Sequence, residues 1–348
     1  MATPTESRTT DLEQSFRNRI LGAFVGQAIG DAIGFVLEKS FPERCQSYAE
    51  AWRSSGAPAQ MTRQGFPFGQ VSDDTQFSLH LARSLAECRR FDGADFAKRL
   101  TADFKADRLV GIGGNSRKAM SAFLSGIPWD QCGVDASSNG AIMRAWVPAA
   151  VFADPAELET VTRAHSNLTH RNEMAQGAAI LAAHGMRHAL EGGDPADLLS
   201  AIERRLTEAA RSRRCLEALE LTESILGLPL DEAAARAGAF AELHPDDWRH
   251  IPPDGMATFV WSFWSAINGA GDPLEAIRLG LSSGGDVDST AAIAGAIIGA
   301  SQGLDAFPSS YLAMVENNGE SLIDEFGWLA TTLADMAEHG QDGTSTGL

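Results

Sequence analysis

The chain has 348 residues, 44% of them apolar, and a formal charge of −18 from 28 Lys and Arg against 46 Asp and Glu. No Lys/Arg-rich run resembles a nucleic-acid-binding patch, and no apolar run reaches the ~18 residues of a membrane span. We therefore expect the protein to bind neither nucleic acid nor a membrane. The four cysteines form no CxxC pair and the first ten residues lack a signal-like apolar core, which predicts a reducing, cytoplasmic location.

Helical periodicity dominates the chain, and alternating Val, Ile and Thr strands are nearly absent. The segments predicted to be helical are 20–35, 74–87, 94–107, 173–191, 195–211, 216–226, 230–242, 256–267, 273–280 and 290–303. We therefore predict a single compact all-α bundle over residues 13–339, with its functional residues on the loops between helices. Residues 1–12 and 340–348 are expected to be flexible tails.

The first predicted helix carries an unusual stripe of glycines, at Gly22, Gly26, Gly30 and Gly34. A glycine inside a helix costs about 1 kcal/mol relative to alanine, so four on one face need a structural reason. Residues four apart share a face, and the backbone of a neighbouring helix can approach there. The segment 290–303 has the same spacing at Gly295 and Gly299, and we expect these two helices to lie at the centre of the bundle.

Two carboxylates accompany the first helix. Asp31 lies in an otherwise apolar helix, where its burial is costly without a partner, so it is expected to cap or hold a neighbouring loop. Glu38 follows seven residues later, just past the helix end. It is either a surface glutamate or a carboxylate on a mobile segment near the two acidic motifs described next.

Each acidic motif places two carboxylates and one or two hydroxyls at the start of an apolar, helix-like run. The first motif is Ser72-Asp73-Asp74-Thr75 and the second is Ser283-Gly284-Gly285-Asp286-Val287-Asp288-Ser289-Thr290. Either motif alone could cap a helix. Together, with no Lys or Arg inside them, they favour one or two hard divalent cations, because Mg²⁺ and Mn²⁺ prefer oxygen ligands.

A glycine-rich loop lies between the two acidic motifs and runs into a helical stretch predicted to begin near Arg117. Its residues are Gly111, Ile112, Gly113, Gly114, Asn115 and Ser116. Such a loop exposes backbone N–H groups beside a positive helix end and can hold a phosphate or diphosphate, although it could also be an ordinary turn. It lacks the Gly-Lys-Ser/Thr ending of a Walker loop, and no convincing strand precedes it.

A second small-residue loop runs from Ser137 through Ser138, Asn139 and Gly140 into a helix that carries Arg144. Asn139 would cap that helix or bind a sugar hydroxyl, and Arg144 would pair with an acid or face a phosphate. His170 precedes an Ala-rich helix, where it either contacts substrate or serves as a packed or capping residue.

In this order the motifs resemble those of the ADP-ribosylglycohydrolase family, which includes the dinitrogenase reductase-activating glycohydrolases and hydrolases of ADP-ribosyl-arginine and ADP-ribosyl-serine. The resemblance covers roughly residues 20–303 and implies an orthogonal all-α bundle with two divalent cations, Mg²⁺ or Mn²⁺, in a cleft. The implied metal ligands are Ser72, Asp73, Asp74, Asp286, Asp288 and Ser289. Ser72 and Ser289 stand where the family usually has threonine but keep the hydroxyl, whereas Val287 replaces a threonine and loses one possible hydrogen bond.

The resemblance also implies where the ligand binds. The family's diphosphate loop falls on Gly111, Gly113, Gly114, Asn115 and Ser116, and its ribose-side loop falls on Ser138, Asn139 and Gly140. His170 is expected to contact substrate as well. The family's glutamate near the metals falls on Glu38, which we group with Asp74 and Asp288 as the catalytic carboxylates.

The implied activity is metal-dependent removal of ADP-ribose from a modified protein side chain, with arginine as the first expectation. A metal-activated water would attack the anomeric carbon, and the partners would be an ADP-ribosylated protein and the ADP-ribose product. Alternatives are hydrolysis of O-linked ADP-ribosyl-serine or of a free ADP-ribose derivative, and a catalytically silent ADP-ribose-binding relative. A dinuclear hydrolase of phosphate esters or diphosphates is a further alternative.

Overall fold

The computed structural model describes residues 4–63, 65–243, 250–269 and 271–339. Within these ranges the chain forms sixteen α-helices and one short antiparallel hairpin, β1 (Glu316–Asn317) and β2 (Glu320–Ser321), so the all-α prediction is confirmed. The helices are α1 (Pro4–Phe35), α2 (Pro42–Ser55), α3 (Asp73–Cys88), α4 (Gly93–Lys105), α5 (Gly114–Leu124), α6 (Trp146–Ala149), α7 (Pro155–Asn167), α8 (Glu173–Leu190), α9 (Leu198–Arg205), α10 (Arg213–Ile225), α11 (Leu230–Ala239), α12 (Gly255–Asn268), α13 (Pro273–Leu281), α14 (Val287–Gln302), α15 (Ser309–Leu312) and α16 (Ile323–His339). None of these described helices combines the length and the apolarity needed to cross a bilayer.

Several boundaries differ from the sequence prediction. The helix predicted over 195–211 is a 3₁₀ turn followed by α9, which ends at Arg205, and α11 ends at Ala239 rather than near 242. Helices α2, α7, α15 and α16 have no counterpart among the predicted segments. The first helix begins at Pro4, inside the predicted tail 1–12, whereas residues 1–3 and 340–348 lie outside the described residues. The domain bounds 13–339 stay a prediction.

Helices α1 and α14 pack backbone against backbone, antiparallel, in the centre of the molecule. A β-carbon at any of the four stripe glycines would lie closer than 3.0 Å to a backbone atom of α14. The facing pairs are Gly22 with Gly299, Gly26 with Gly295, Gly30 with Ala291 and Gly34 with Asp288. No larger side chain fits without separating the helices, so the inference of a close, buried helix pair is confirmed.

The same first helix fixes the start of α3. The fully buried Asp31 carboxylate accepts hydrogen bonds from the backbone N–H of Ser72, at 2.9 and 3.0 Å, and of Thr75, at 3.0 Å. Burial raises the pKa of Asp31 to about 6, while these hydrogen bonds lower it. Asp31 therefore caps α3 from another helix, and the expectation that it needs a partner is confirmed.

The glycine contact predicts opposite effects for two Gly→Ala substitutions in helices. Gly26→Ala should destabilise the fold by about 1–3 kcal/mol or more, because its β-carbon collides with the Gly295 carbonyl. Gly327→Ala in α16 meets nothing within 4 Å and should stabilise by up to about 1 kcal/mol through helix propensity. Denaturant unfolding of both variants measures the difference, and equal midpoints would contradict the close contact.

Candidate functional site

A cavity of about 420 Å³ opens where the starts of α3, α5 and α14 meet. Every predicted site residue except Ser72 lines it: Glu38, Asp73, Asp74, Gly111, Gly113, Gly114, Asn115, Ser116, Ser138, Asn139, Gly140, His170, Asp286, Asp288 and Ser289. Ser72 is fully buried behind the wall, where its hydroxyl accepts a hydrogen bond from the Asp74 N–H at 3.3 Å and caps α3.

The two acidic motifs meet inside this cavity. Carboxylate oxygens of Glu38, Asp286 and Asp288 lie within 4.8 Å of one another. The Ser289 hydroxyl donates to Asp74 Oδ2 at 3.2 Å, which joins the second motif to the first. Motifs far apart in sequence thus form one carboxylate-rich site. The contact between α1 and α14 contributes to this, because Gly34 lies against Asp288.

Burial and mutual repulsion disfavour the charged forms of these carboxyl groups. Burial, with the nearby Asp31 and Glu38 carboxylates, raises the pKa of Asp73 to about 8. Burial and Glu38 raise the pKa of Asp286 to about 7, although a hydrogen bond from Asn139 lowers it. Burial and neighbouring acids hold the pKa values of Asp74 and Asp288 well above their usual range.

The donor set fits a hard divalent cation. It consists of carboxylate and hydroxyl oxygens, which Mg²⁺ and Mn²⁺ prefer. Asp74 Oδ1 is buried and has no hydrogen-bond partner within the described chain, a costly arrangement for a polar atom unless a ligand satisfies it. A bound cation would also favour the ionised forms of the carboxyl groups that burial disfavours.

Glu38 is held by a cation that the sequence analysis missed. Arg63 forms an ion pair with the Glu38 carboxylate and donates to the Phe35 carbonyl at 2.7 Å. Its guanidinium lies 4.6 Å from the centroid of the Phe35 ring. Glu38 is therefore a half-buried, anchored carboxylate, not one on a free segment. Arg63 lies in a non-helical stretch with no motif or periodicity that could have revealed it.

The glycine-rich loop presents open backbone to the cavity. Helix α5 begins at Gly114, three residues earlier than predicted, with Gly113 as its N-cap. β-Carbons at Gly113 and Gly114 would meet nothing within 4 Å, and the first turn of α5 holds no acidic residue. Arg117 turns back, and its Nε donates to the Ile112 carbonyl at 3.1 Å. An anion here would meet N–H groups and a positive helix end.

The ribose-side loop connects to both the acidic site and the glycine-rich loop. The Asn139 amide donates to Asp286 Oδ2 and to the Thr258 hydroxyl. Its side chain therefore does not cap the following helix, and that one of its two predicted roles is wrong. The Asn115 amide donates to the Ser138 hydroxyl at 2.9 Å. His170 Nε2 lies 2.7 Å from the same hydroxyl.

Arg144 takes neither of its two predicted roles. Its guanidinium is fully buried, does not line the cavity, and donates to the Gly140 carbonyl, the His165 carbonyl at 3.0 Å and the Thr169 hydroxyl at 2.7 Å. Burial lowers its pKa to about 9, which still leaves it charged at neutral pH. The guanidinium of Arg144 thus lies behind the ribose-side loop, outside the cavity.

Named relatives resemble the chain along most of its length. ADP-ribosyl-[dinitrogen reductase] glycohydrolase of Rhodospirillum rubrum is 28% identical over 315 residues, which cover 89% of this chain and 94% of the relative. ADP-ribosylarginine hydrolase Tri1 of Pseudomonas putida is 28% identical over 313 residues, 86% of this chain and 74% of that protein. Human ADP-ribosylhydrolase ARH3 is 24% identical over 344 residues, which cover 88% of this chain and 91% of the relative.

Fold and family comparisons agree with these relatives. A solved ADP-ribosylglycohydrolase-related protein complex contains a chain with the same fold, at a TM-score of 0.67 and 24% identity, covering 93% of this chain and 99% of that one. The ADP-ribosylglycohydrolase family model matches residues 12–343. The chain therefore belongs to the ADP-ribosylglycohydrolase family and is a hydrolase that acts on glycosyl bonds.

Proposed function

We propose that this protein is a divalent-metal-dependent hydrolase that releases ADP-ribose from a modified arginine side chain of a protein. The observation that carries the proposal is a single cavity in which five clustered acids, Glu38, Asp73, Asp74, Asp286 and Asp288, face a glycine-rich loop at a helix start. The name of the 28% identical relative from Pseudomonas putida, an ADP-ribosylarginine hydrolase, supports arginine as the acceptor.

Two cations, Mg²⁺ or Mn²⁺, are proposed to bind among these oxygens. Asp73, Asp74, Asp286 and Asp288 would hold them, with Ser289 as a further oxygen donor. Ser72 is proposed as a ligand too, although its hydroxyl now caps α3. Such ions, when bound, polarise sugar oxygens and lower the pKa of a water.

The side chains supply the remaining roles. We propose that Glu38, which pairs with Arg63 and lies within 4.8 Å of Asp286 and Asp288, accepts the proton of an attacking water, with Asp74 or Asp288 as alternatives. Nearby carboxylates also favour the positive charge that develops at the anomeric carbon in glycosidic cleavage. We propose that backbone N–H groups of the glycine-rich loop, Gly111 to Ser116, hold the diphosphate, and that Ser138, Asn139 and His170 face the ribose.

The direct test is incubation with ADP-ribosylated arginine and serine peptides, with Mg²⁺, with Mn²⁺ and with chelator, followed by mass analysis. We expect free ADP-ribose and unmodified arginine peptide, only when metal is present. Release of AMP or phosphate would instead identify a hydrolase of the diphosphate. Preferential cleavage of the serine peptide would contradict the arginine assignment, and binding without cleavage of either peptide would contradict catalysis.

Asp288→Asn should reduce activity by at least about 100-fold. Loss of a residue that merely hydrogen-bonds to a metal ligand lowers activity up to about 100-fold, and loss of the ligand itself should cost at least as much. The metal-free variant should unfold at or above the wild-type temperature, because one of several repelling buried acids is neutralised. Thermal melts and turnover at saturating Mg²⁺ check both parts, with the exposed Asp130→Asn as control. Activity within a few-fold of wild type would refute the ligand role.

The metal-free protein should lose stability as pH rises from about 4 to 8. Asp286 and Asp73 have folded pKa values raised to about 7 and about 8 from an ordinary 3.8, so the folded state binds more protons across this window. Metal binds the deprotonated carboxylates, so saturating Mn²⁺ should abolish or reverse the loss. Melting curves across this pH range, with Mn²⁺ and with chelator, measure it, and parallel pH profiles would count against a metal at these acids.

Gly114→Val should weaken ADP-ribose binding strongly while metal binding stays nearly unchanged. The valine meets no protein atom at its β-carbon, so the fold tolerates it, but the side chain would stand where an anion approaches the backbone. Calorimetry with ADP-ribose and with Mn²⁺ separates the two effects, and the exposed Gly227→Val is the matched control. Unchanged ADP-ribose affinity would mean that the loop is only a connection.

A further inference from the structure

A continuous series of hydrogen bonds joins a buried cation to the cavity wall. Arg144 donates to Thr169 Oγ1 at 2.7 Å, and this oxygen lies 2.9 Å from His170 Nδ1. On the other side of the ring, His170 Nε2 lies 2.7 Å from Ser138 Oγ, which accepts from the Asn115 amide at 2.9 Å. Ser138 and Asn115 line the cavity, whereas Arg144 and Thr169 are fully buried behind it.

The contact with Arg144 fixes the direction of the first bond, and the direction of the two bonds at His170 follows from the tautomer of its ring. A guanidinium can only donate, so Thr169 Oγ1 is the acceptor in its contact with Arg144. Among the described residues, His170 Nδ1 is the acceptor that remains in reach of the Thr169 proton. Burial and the Arg144 charge lower the pKa of His170 to about 3, so the ring is neutral and carries a single proton. If Nδ1 accepts the Thr169 proton, the single ring proton lies on Nε2.

The consequence reaches the cavity at Ser138. With that tautomer, its oxygen accepts from the Asn115 amide and from His170 Nε2–H, which occupies both lone pairs. The remaining hydroxyl proton points away from both donors, and Ser138 lines the cavity. We propose that Arg144 is a positioning residue that, through Thr169 and His170, fixes the Ser138 hydroxyl as a hydrogen-bond donor to an acceptor oxygen of the bound ligand.

The surroundings of Arg144 and His170 fit such a positioning role. Among the described residues, Arg144 donates to carbonyl and hydroxyl oxygens and not to a carboxylate, although the charge of the nearby Asp73 favours its ionised form; burying a charge without a direct ion pair is costly. Three oxygen acceptors and the rings of Phe77 and Phe96, both with centroids 5.6 Å away, offset part of that cost. The His170 ring is also fixed by shape, because a β-carbon at Gly140 would lie 2.6 Å from its Cε1.

The inference rests on the proposed function, because it takes the ligand to be the ADP-ribosyl group. Its first test needs no ligand: long-range proton–nitrogen NMR of the ¹⁵N-histidine-labelled protein shows which ring nitrogen of His170 is protonated. We expect the proton on Nε2 in wild type, and a shift toward Nδ1 in Thr169→Val, which removes the hydroxyl donor. His170→Gln identifies the signal among the eight histidines. A proton on Nδ1 in wild type would overturn the proposal.

The second test is a binding cycle with ADP-ribose in calorimetry. Ser138→Ala should weaken binding about fivefold, the size of one neutral hydrogen bond. Thr169→Val and Arg144→Lys should weaken it too, and adding Thr169→Val to Ser138→Ala should cost nothing more. Additive losses, or full affinity in Ser138→Ala, would overturn the proposal. Thr222→Val is the control, because that buried hydroxyl donates to a carbonyl of its own helix, Ala218, and does not line the cavity.

The two tests also separate the inference from the proposed function. If wild type does not bind ADP-ribose, the proposed function fails, whereas the His170 proton position still decides the hydrogen-bond direction. If Arg144→Lys does not fold, Thr169→Val carries the cycle, because it keeps the size of the side chain and changes only the hydroxyl.

Discussion

The backbone contact between α1 and α14 is the constraint on which the site depends. Because Gly34 meets Asp288 at the end of that contact, the start of α14 lies beside Glu38, which follows α1. The same α1 carries Asp31, whose carboxylate caps α3 and sets the position of Asp73 and Asp74. One glycine-striped helix therefore brings two distant acidic motifs into one cavity. A side chain added to the stripe would move the carboxylates as well as weaken the packing.

The electrostatics of the cavity appear contradictory for a protein of charge −18 that is proposed to bind an anionic nucleotide. Buried acids repel one another and would repel a diphosphate. The arrangement becomes consistent if divalent cations occupy the acids and backbone N–H groups of the glycine-rich loop meet the phosphates. Two arginines at or behind the cavity have other roles: Arg63 holds Glu38, and Arg144 supports the ribose-side loop from behind.

Local patterns in the sequence sufficed for the fold class, the central helix pair and the motifs, because glycine spacing and acidic helix starts are short-range features. Helix α2 was missed although its buried residues Cys45, Tyr48, Ala49 and Trp52 have helical spacing, since polar neighbours mask them. The partners of Glu38 and Arg144 could not be predicted. Each pairing joins residues on separate elements, and its geometry exists only once the bundle has formed.

We propose that both acidic motifs hold divalent cations in one site. Anomalous diffraction from crystals soaked in Mn²⁺ measures this most directly, because it locates the ions independently of activity. We expect Mn²⁺ density that contacts a carboxylate of Asp73 or Asp74 together with one of Asp286 or Asp288. Density at one motif alone, or no density at either, would contradict it.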